Sequence, residues 1–205
     1  GQLLFAQKVF DGLQVRDLVT WTALMEGYIE HGNGKDALKC FSQMQIEGAP
    51  CDAVALVCGL KACVEISDID TGKEIHGEIE KQGLLERDIM VGSTLVYMYA
   101  NCGSLAEAQQ VFGKLTVRTV VIWNALIVGY AGNGYNLEAV RCFERMQLDG
   151  ILADAVTYAF ILKAYGTIGD LEKVRDIHAE VEKKRLLEEE PIVGNSLVDL
   201  YGKYG

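Results

Sequence analysis

The amino-acid sequence predicts an all-α chain, an α-solenoid in which helix–turn–helix units stack one on the next. The first sign is an internal repeat. "WTALMEGY" at 21–28 returns as "WNALIVGY" at 123–130, a step of 102 residues. The same step lays "KVFDGLQVRD" (8–17) on "QVFGKLTVRT" (110–119), and "EIHGEIEKQGLLE" (74–86) on "DIHAEVEKKRLLE" (176–188). This register runs from Gly1 on Gly103 to Gly103 on Gly205, with about two residues in five identical. The second sign is apolar spacing that is helical inside each copy. The third is the near-absence of strand signal: the short run "TVVIW" (119–123) leads directly into helical spacing.

The elements follow in order. Trp21, Leu24, Met25 and Tyr28 fall on one helical stripe, and Ala37, Phe41 and Met44 make a second amphipathic helix. Between them "EHGNGK" (30–35) has the glycines and Asn of a tight turn, and Gly48 in "EGAPCD" (47–52) is placed to cap the second helix. Residues 53–88 and 89–119 repeat this plan in other spellings, so one copy divides into hairpins of 35, 36 and 31 residues. The expected division is a partial unit at 1–17, then 18–52, 53–88, 89–119, 120–154, 155–190, and a partial unit at 191–205. Such a hairpin is too small to bury its own apolar stripe. The expectation is therefore a single solenoid, with half hairpins at 2–12 and 191–204 whose open stripes fray or self-associate.

Composition narrows the function. Hydrophobic residues make up 50% and charged residues 23%, ordinary for a folded domain. No apolar run reaches the ~18 residues of a membrane span, so no membrane partner is expected. The chain opens at Gly1 without Met, partway through its repeating unit, and reads as a piece of a longer array with any targeting segment elsewhere. Six cysteines lack zinc-like spacing, and Cys58 and Cys63 stand where the other copy has Phe160 and Tyr165. Positions that accept Cys or an aromatic are packing positions, as suits a reducing compartment. The formal net charge of −10 weighs against nucleic acid.

Two families of helical repeats have units near this length. The tetratricopeptide pattern is met by Trp21, Leu24, Tyr28, Ala37 and Phe41, but Met25 and Ala49 stand where it wants Gly and Pro. The chain more closely resembles the pentatricopeptide repeat (PPR) family. "LVTWTALMEGYIEHGNGKDALKCFSQMQIEGAPCD" and "VVIWNALIVGYAGNGYNLEAVRCFERMQLDGILAD" resemble its standard repeat. "LKACVEISDIDTGKEIHGEIEKQG" resembles its long variant, and "VGSTLVYMYANCGSLAEAQQVFGKL" its short one. This ordered triplet is similar to the plant-type PLS subclass, and the resemblance covers essentially the whole chain.

The resemblance implies a right-handed solenoid that binds single-stranded RNA, one repeat to one nucleotide, selecting a site in a mitochondrial or chloroplast transcript for editing or processing. It implies that the fifth and last residues of a repeat read the base, and that the aliphatic second residue packs between bases. The second residues are Val19, Val54, Met90, Val121, Val156 and Ile192, all apolar. The reading residues are Thr22 with Asp52, Ser93 with Thr119, Asn124 with Asp154, and Asn195, whose repeat lacks its last residue. Thr22/Asp52 resembles a guanine reader and Asn124/Asp154 a uracil reader. Val57 with Asp88 and Ala159 with Glu190, in the long repeats, fit poorly. Chemistry supports the first two: an amide both donates and accepts, and a hydroxyl beside a carboxylate can accept from a purine's amino and imino groups. The competing reading makes Asp52 and Asp154 plain helix caps.

Most charge lies on second helices, which leaves the expected groove roughly neutral: Glu30, Glu65, Asn101, Gly132 and Thr167 stand where the family often has lysine, and only Lys203 matches. His76-Gly77-Glu78 and His178-Ala179-Glu180 echo a zinc deaminase, but no P-C-x-x-C follows, so both read as scaffold. No nucleophile–base set is visible, so neither cofactor nor catalysis is expected. Protein editing or processing factors are further expected partners, and DNA is not. The alternative function is a tetratricopeptide-like scaffold that binds protein on the same face.

Overall fold

A computed structural model describes residues 2–204, with side chains for 2–203; Gly1 and Gly205 lie outside the described residues. Among the described residues there are thirteen helices and no strand, which is the fold class the sequence predicts. The chain forms two compact units, one through Thr116 and one from Val117.

In the first unit, α1 (Gln2–Asp11) precedes the hairpin of α2 (Leu18–Glu30) and α3 (Gly34–Ile46). Next come α4 (Ala53–Ile66) with α5 (Ile69–Lys81), and α6 (Ile89–Asn101) with α7 (Leu105–Lys114). Each leading helix packs on its own partner and on the next leading helix: α2 touches α3 and α4, and α4 touches α5 and α6. The second unit repeats the plan with α8 (Val120–Gly132) and α9 (Asn136–Leu148), then α10 (Ala155–Ile168) and α11 (Leu171–Lys183). A four-residue helix, α12 (Leu186–Glu189), leads to α13 (Pro191–Tyr204), which packs on α10. The helical spacing did not foretell α12. It follows Arg185, whose φ of +59° turns the chain out of α11.

The predicted stripes form the core. Trp21, Met25 and Met44 are fully buried in the first hairpin, and Leu56, Leu60, Ile79 and Leu95 continue the layer. Ile122, Leu126, Ile127 and Tyr158 do so in the second unit. Burial of one such side chain contributes about 1.5–3 kcal/mol, and the stripe of a single hairpin reaches full burial only against its neighbours. On the second helices the other face is charged. In α11, Val174, Ile177 and Val181 are buried while Glu172, Arg175, Glu182 and Lys183 are exposed.

Helix ends follow the sequence signals. Gly48 adopts φ +72°, its N–H donates to Gln45 C=O at 3.0 Å, and the Ala49 N–H reaches back to Met44 C=O at 3.1 Å. This pair of bonds closes α3, and only glycine takes that backbone conformation without strain. The cysteines are free, and Cys40, Cys58 and Cys63 are buried. Burial pushes the thiols of Cys40 and Cys63 up to about 12, so they stay protonated and pack as small apolar groups.

Candidate nucleic-acid interface

Every leading helix begins beside a residue that turns the chain from extended to helical. Asp17 accepts the Thr20 N–H at 2.9 Å, Asp52 the Ala55 N–H at 3.0 Å, and Asp88 the Met90 N–H at 2.8 Å. In the second unit Asp154 accepts the Thr157 N–H at 2.9 Å, while Thr119 precedes α8 without a side-chain cap. Capping is therefore real at Asp52 and Asp154. It occupies part of each carboxylate and leaves acceptor capacity over.

The start of each leading helix sets where its second residue stands. Val19, Val54 and Met90 in the first unit, and Val121, Val156 and Ile192 in the second, all stand in solvent, from 39% exposed at Val156 to 71% at Val19. Residues seven and eleven positions further along share that face, because both steps are close to whole helical turns. They are Glu26 and Glu30 on α2, Lys61 and Glu65 on α4, Tyr97 and Asn101 on α6, and Lys163 and Thr167 on α10. On α2 and α4 this stripe holds three carboxylates against one ammonium. In the second unit, Lys163 and Lys203 flank a cleft of about 110 Å³ that Thr167, Ser196 and Asp199 also line. Lys203 is paired there with Asp199 at 2.6 Å.

The fifth residues lie at the rim of this face, between core and solvent. Thr22, Ser93 and Asn124 are each 8% exposed, although polar. Thr22 Oγ1 donates to Leu18 C=O at 3.0 Å, with Val19 C=O at 3.2 Å, and Ser93 Oγ donates to Met90 C=O at 3.0 Å. With its hydrogen engaged on the helix, each hydroxyl keeps acceptor capacity only. Asn195 is exposed on α13. Val57 and Ala159, the fifth residues of the two long units, are buried apolar groups.

Asn124 and Asp154 are brought together. Asn124 Nδ2 donates to Asp154 Oδ1 at 2.9 Å and Oδ2 at 3.0 Å. Thr157, fully buried, approaches Asn124 Oδ1 through its hydroxyl at 2.6 Å. Asp154 and Thr157 also form a capping box, because the Asp154 N–H donates to Thr157 Oγ1 at 3.2 Å. Sequence reasoning missed Thr157. The signal was there in "DAVT" (154–157), a cap residue followed at the third place by a hydroxyl.

The two H-x-E stretches are occupied structurally. His76 Nδ1 lies 2.9 Å from Tyr99 Oη, and His178 Nδ1 lies 3.1 Å from Tyr201 Oη. Among the described residues no group of three His, Cys, Asp or Glu side chains is arranged to hold a metal ion, and no helix is long and apolar enough to cross a membrane.

The fold defines a helical-repeat protein whose leading helices each present an exposed apolar residue, followed three places on by a buried polar side chain on α2, α6 and α8. A family model described as "PPR repeat family" matches residues 16–65 and 118–167. The chain thus carries repeats of that family in both copies of its unit. A pentatricopeptide repeat-containing protein of Arabidopsis thaliana is 40% identical over 183 residues, 89% of this chain and 36% of the relative. A chloroplastic one from the same plant is 33% identical over 205 residues, 100% of this chain and 25% of the relative. A mitochondrial one is 34% identical over 200 residues, 98% of this chain and 32% of the relative. The chain thus spans only a quarter to about a third of these relatives. Among solved structures, PPR10 in complex with an 18-nt psaJ RNA element is similar with a TM-score of 0.70 and 19% identity, over 86% of this chain and 27% of that one.

Proposed function

We propose that the chain binds single-stranded RNA with base selectivity, one repeat to one nucleotide. The observation that carries this reading is the exposed apolar second residue, present on all six leading helices. Six apolar side chains held in water add nothing to the core, and they suit the faces of unstacked bases. Thr22 and the oxygen of Asp52 not engaged in capping offer acceptors only, which fits the N–H donors of guanine. Asn124 offers both donor and acceptor character, which fits uracil. Ser93 with Thr119, and Asn195, are assigned the same reading role. PPR10, which shares the fold, was crystallised on an RNA element.

The finer reading places the chain in the PLS subclass and in an organelle, selecting a transcript site for editing or processing with protein factors. Thr22/Asp52 and Asn124/Asp154 lie three repeats apart, so with the protein's N-terminal side toward the RNA 5′ end the partial pattern is G-N-N-U. Binding is weak, since the stripe on α2 and α4 carries net negative charge and brings few ammonium groups to phosphate. The test compares a G-N-N-U oligonucleotide with one in which both bases are exchanged. Thr22→Asn moves the first preference from guanine toward uracil by on the order of 1–2 kcal/mol, while Lys183→Gln on the outer face leaves preference unchanged. Equal binding of the two oligonucleotides sinks the reading. Glu26, Glu30 and Glu65 favour one other occupant, a basic peptide on the same face, and such a peptide binding in place of RNA would establish the scaffold alternative.

A further inference from the structure

We infer that the two end helices of this chain are complementary halves of one short hairpin, so that α13 of one copy packs on α1 of a second copy. The step of 102 residues carries α1 to α7 and α6 to α13. The internal short hairpin, α6 with α7, therefore shows what each end helix packs against when its other half is present. On α10, α13 makes the contact that α6 makes on α4, and what it lacks is a second helix. For its part, α1 packs on α2 and lacks a leading helix of its own unit.

The faces left open at the ends are those that α6 and α7 bury. Val96 of α6 and Val111 of α7 are buried. Their counterparts, Val198 of α13 and Val9 of α1, are 75% and 68% exposed. Ala108, fully buried on α7, corresponds to Ala6, which stands in solvent. On the α1 side the open face is a groove of about 300 Å³, lined by Ala6, Val9, Leu13, Thr20, Ala23 and Leu24. Covering such a groove with an apolar helix releases the water held against it, which drives association.

One contact makes the fit specific. In the internal hairpin a Cβ at Gly92 would lie 2.7 Å from Leu115 Cδ2, a close seat that glycine makes possible. Both partners recur at the ends, as Gly194 on α13 and Leu13 after α1. Nothing lies within 4 Å of a Cβ built at Gly194, and Leu13 is 37% exposed where Leu115 is buried. A glycine and a leucine that meet inside the chain are thus presented unmet, one near each end of the sequence. The contact is heterologous, because the two surfaces differ, and a copy that has used one end still offers the other. The self-association expected of the open stripes thereby has a defined partner for each end.

The experiment is sedimentation of the whole chain and of variants blocked at one end. For the unaltered chain, average mass rises with concentration and passes that of two copies. Val9→Asp blocks α1 and Val198→Asp blocks α13. Both side chains stand in solvent, so each variant keeps its helical circular dichroism and sediments as one copy. Each aspartate weakens the contact by about a hundredfold, because its charge would be buried without a partner. Mixed in equal amounts, the two variants form a pair and stop there, since one retains α13 and the other retains α1. Gly194→Leu also sediments as one copy, although it adds apolar surface. A single-copy mass for the unaltered chain at every soluble concentration overturns the inference and leaves the two faces to helices of another sequence. Pairing by either aspartate variant alone, or association kept by Gly194→Leu, overturns it as well, since the contact would then be symmetric or a mere apolar patch.

Discussion

His76 Nδ1 meets Tyr99 Oη at 2.9 Å, tying the second helix of one hairpin to the leading helix of the next. The rings also meet edge to face, 5.5 Å between centroids, and His76 Nε2 lies 3.5 Å from Glu80, which is bridged to Lys114 at 2.6 Å. Burial lowers the His76 pKa from 6.5, against the pull of Glu80 and with help from Lys114. The folded first unit thus holds this ring neutral more firmly than the unfolded chain does. The resulting stability is complete above the unfolded value and is lost as pH falls through the lower folded one. Urea midpoints measured at about pH 7.5 and about pH 5 should drop toward acid, and His76→Gln should shrink the drop. An equal drop in the His76→Gln form would place the acid sensitivity elsewhere.

Two glycines should respond to alanine in opposite directions. A Cβ at Gly34 would lie 2.9 Å from the Ala62 carbonyl oxygen and 2.9 Å from Glu65 Cβ, where α3 approaches α4. Backbone cannot yield cheaply, and Gly34→Ala should cost about 1–3 kcal/mol. Gly77 sits inside α5 with nothing within 4 Å of the added atom, and its counterpart is Ala179. Gly77→Ala should stabilise the chain by about 0.5–1 kcal/mol. Calorimetry on both variants checks the pair, and similar signs would contradict the packing described for α3.

The caps can be separated from the readers by chemistry. Asp52→Ala removes the acceptor of the Ala55 N–H and should cost about 1 kcal/mol, whereas Asp52→Asn keeps a capping oxygen and should stay within a few tenths. If Asp52 also reads the base, Asp52→Asn should still change base preference while melting almost unchanged. A matched loss of stability in the two variants would contradict the cap.

The apolar row should matter for ligand and not for folding. Val19→Ala, Val54→Ala and Met90→Ala, made together, remove groups that already stand in solvent. Denaturant midpoints should therefore move by less than ~0.5 kcal/mol per site. RNA affinity should fall by on the order of 1 kcal/mol for each base contact weakened. Fluorescence anisotropy with the triple variant checks this, and undiminished binding would remove these side chains from the interface.

The fold class was legible because a helical stripe is a local property: Trp21, Leu24 and Met25 declare their face through spacing alone, and Gly48 declares its turn through its permitted backbone. The helix after Arg185 was not legible, since nothing local marks a non-glycine residue that adopts a left-handed conformation. At the candidate site, the outward apolar residues could be named because the family resemblance marks the second place of each unit. The bond from Asn124 to Asp154 and Thr157 could not, because it joins residues about thirty positions apart and depends on how α8 packs against α10. Helical spacing reports which face is buried. It does not report which polar atom at the rim meets which.

The residue that closes each unit and opens the next helix has one further consequence. Helix starts accept Asp, Asn, Ser and Thr with little difference in stability, and these four differ in what they can donate and accept. The place where the chain most needs a small polar residue for its own architecture is thus also the place where exchange among such residues is most forgiving. If these residues read a ligand as proposed, a lineage of such arrays can drift from one ligand pattern to another by single substitutions there, each passing through a folded intermediate.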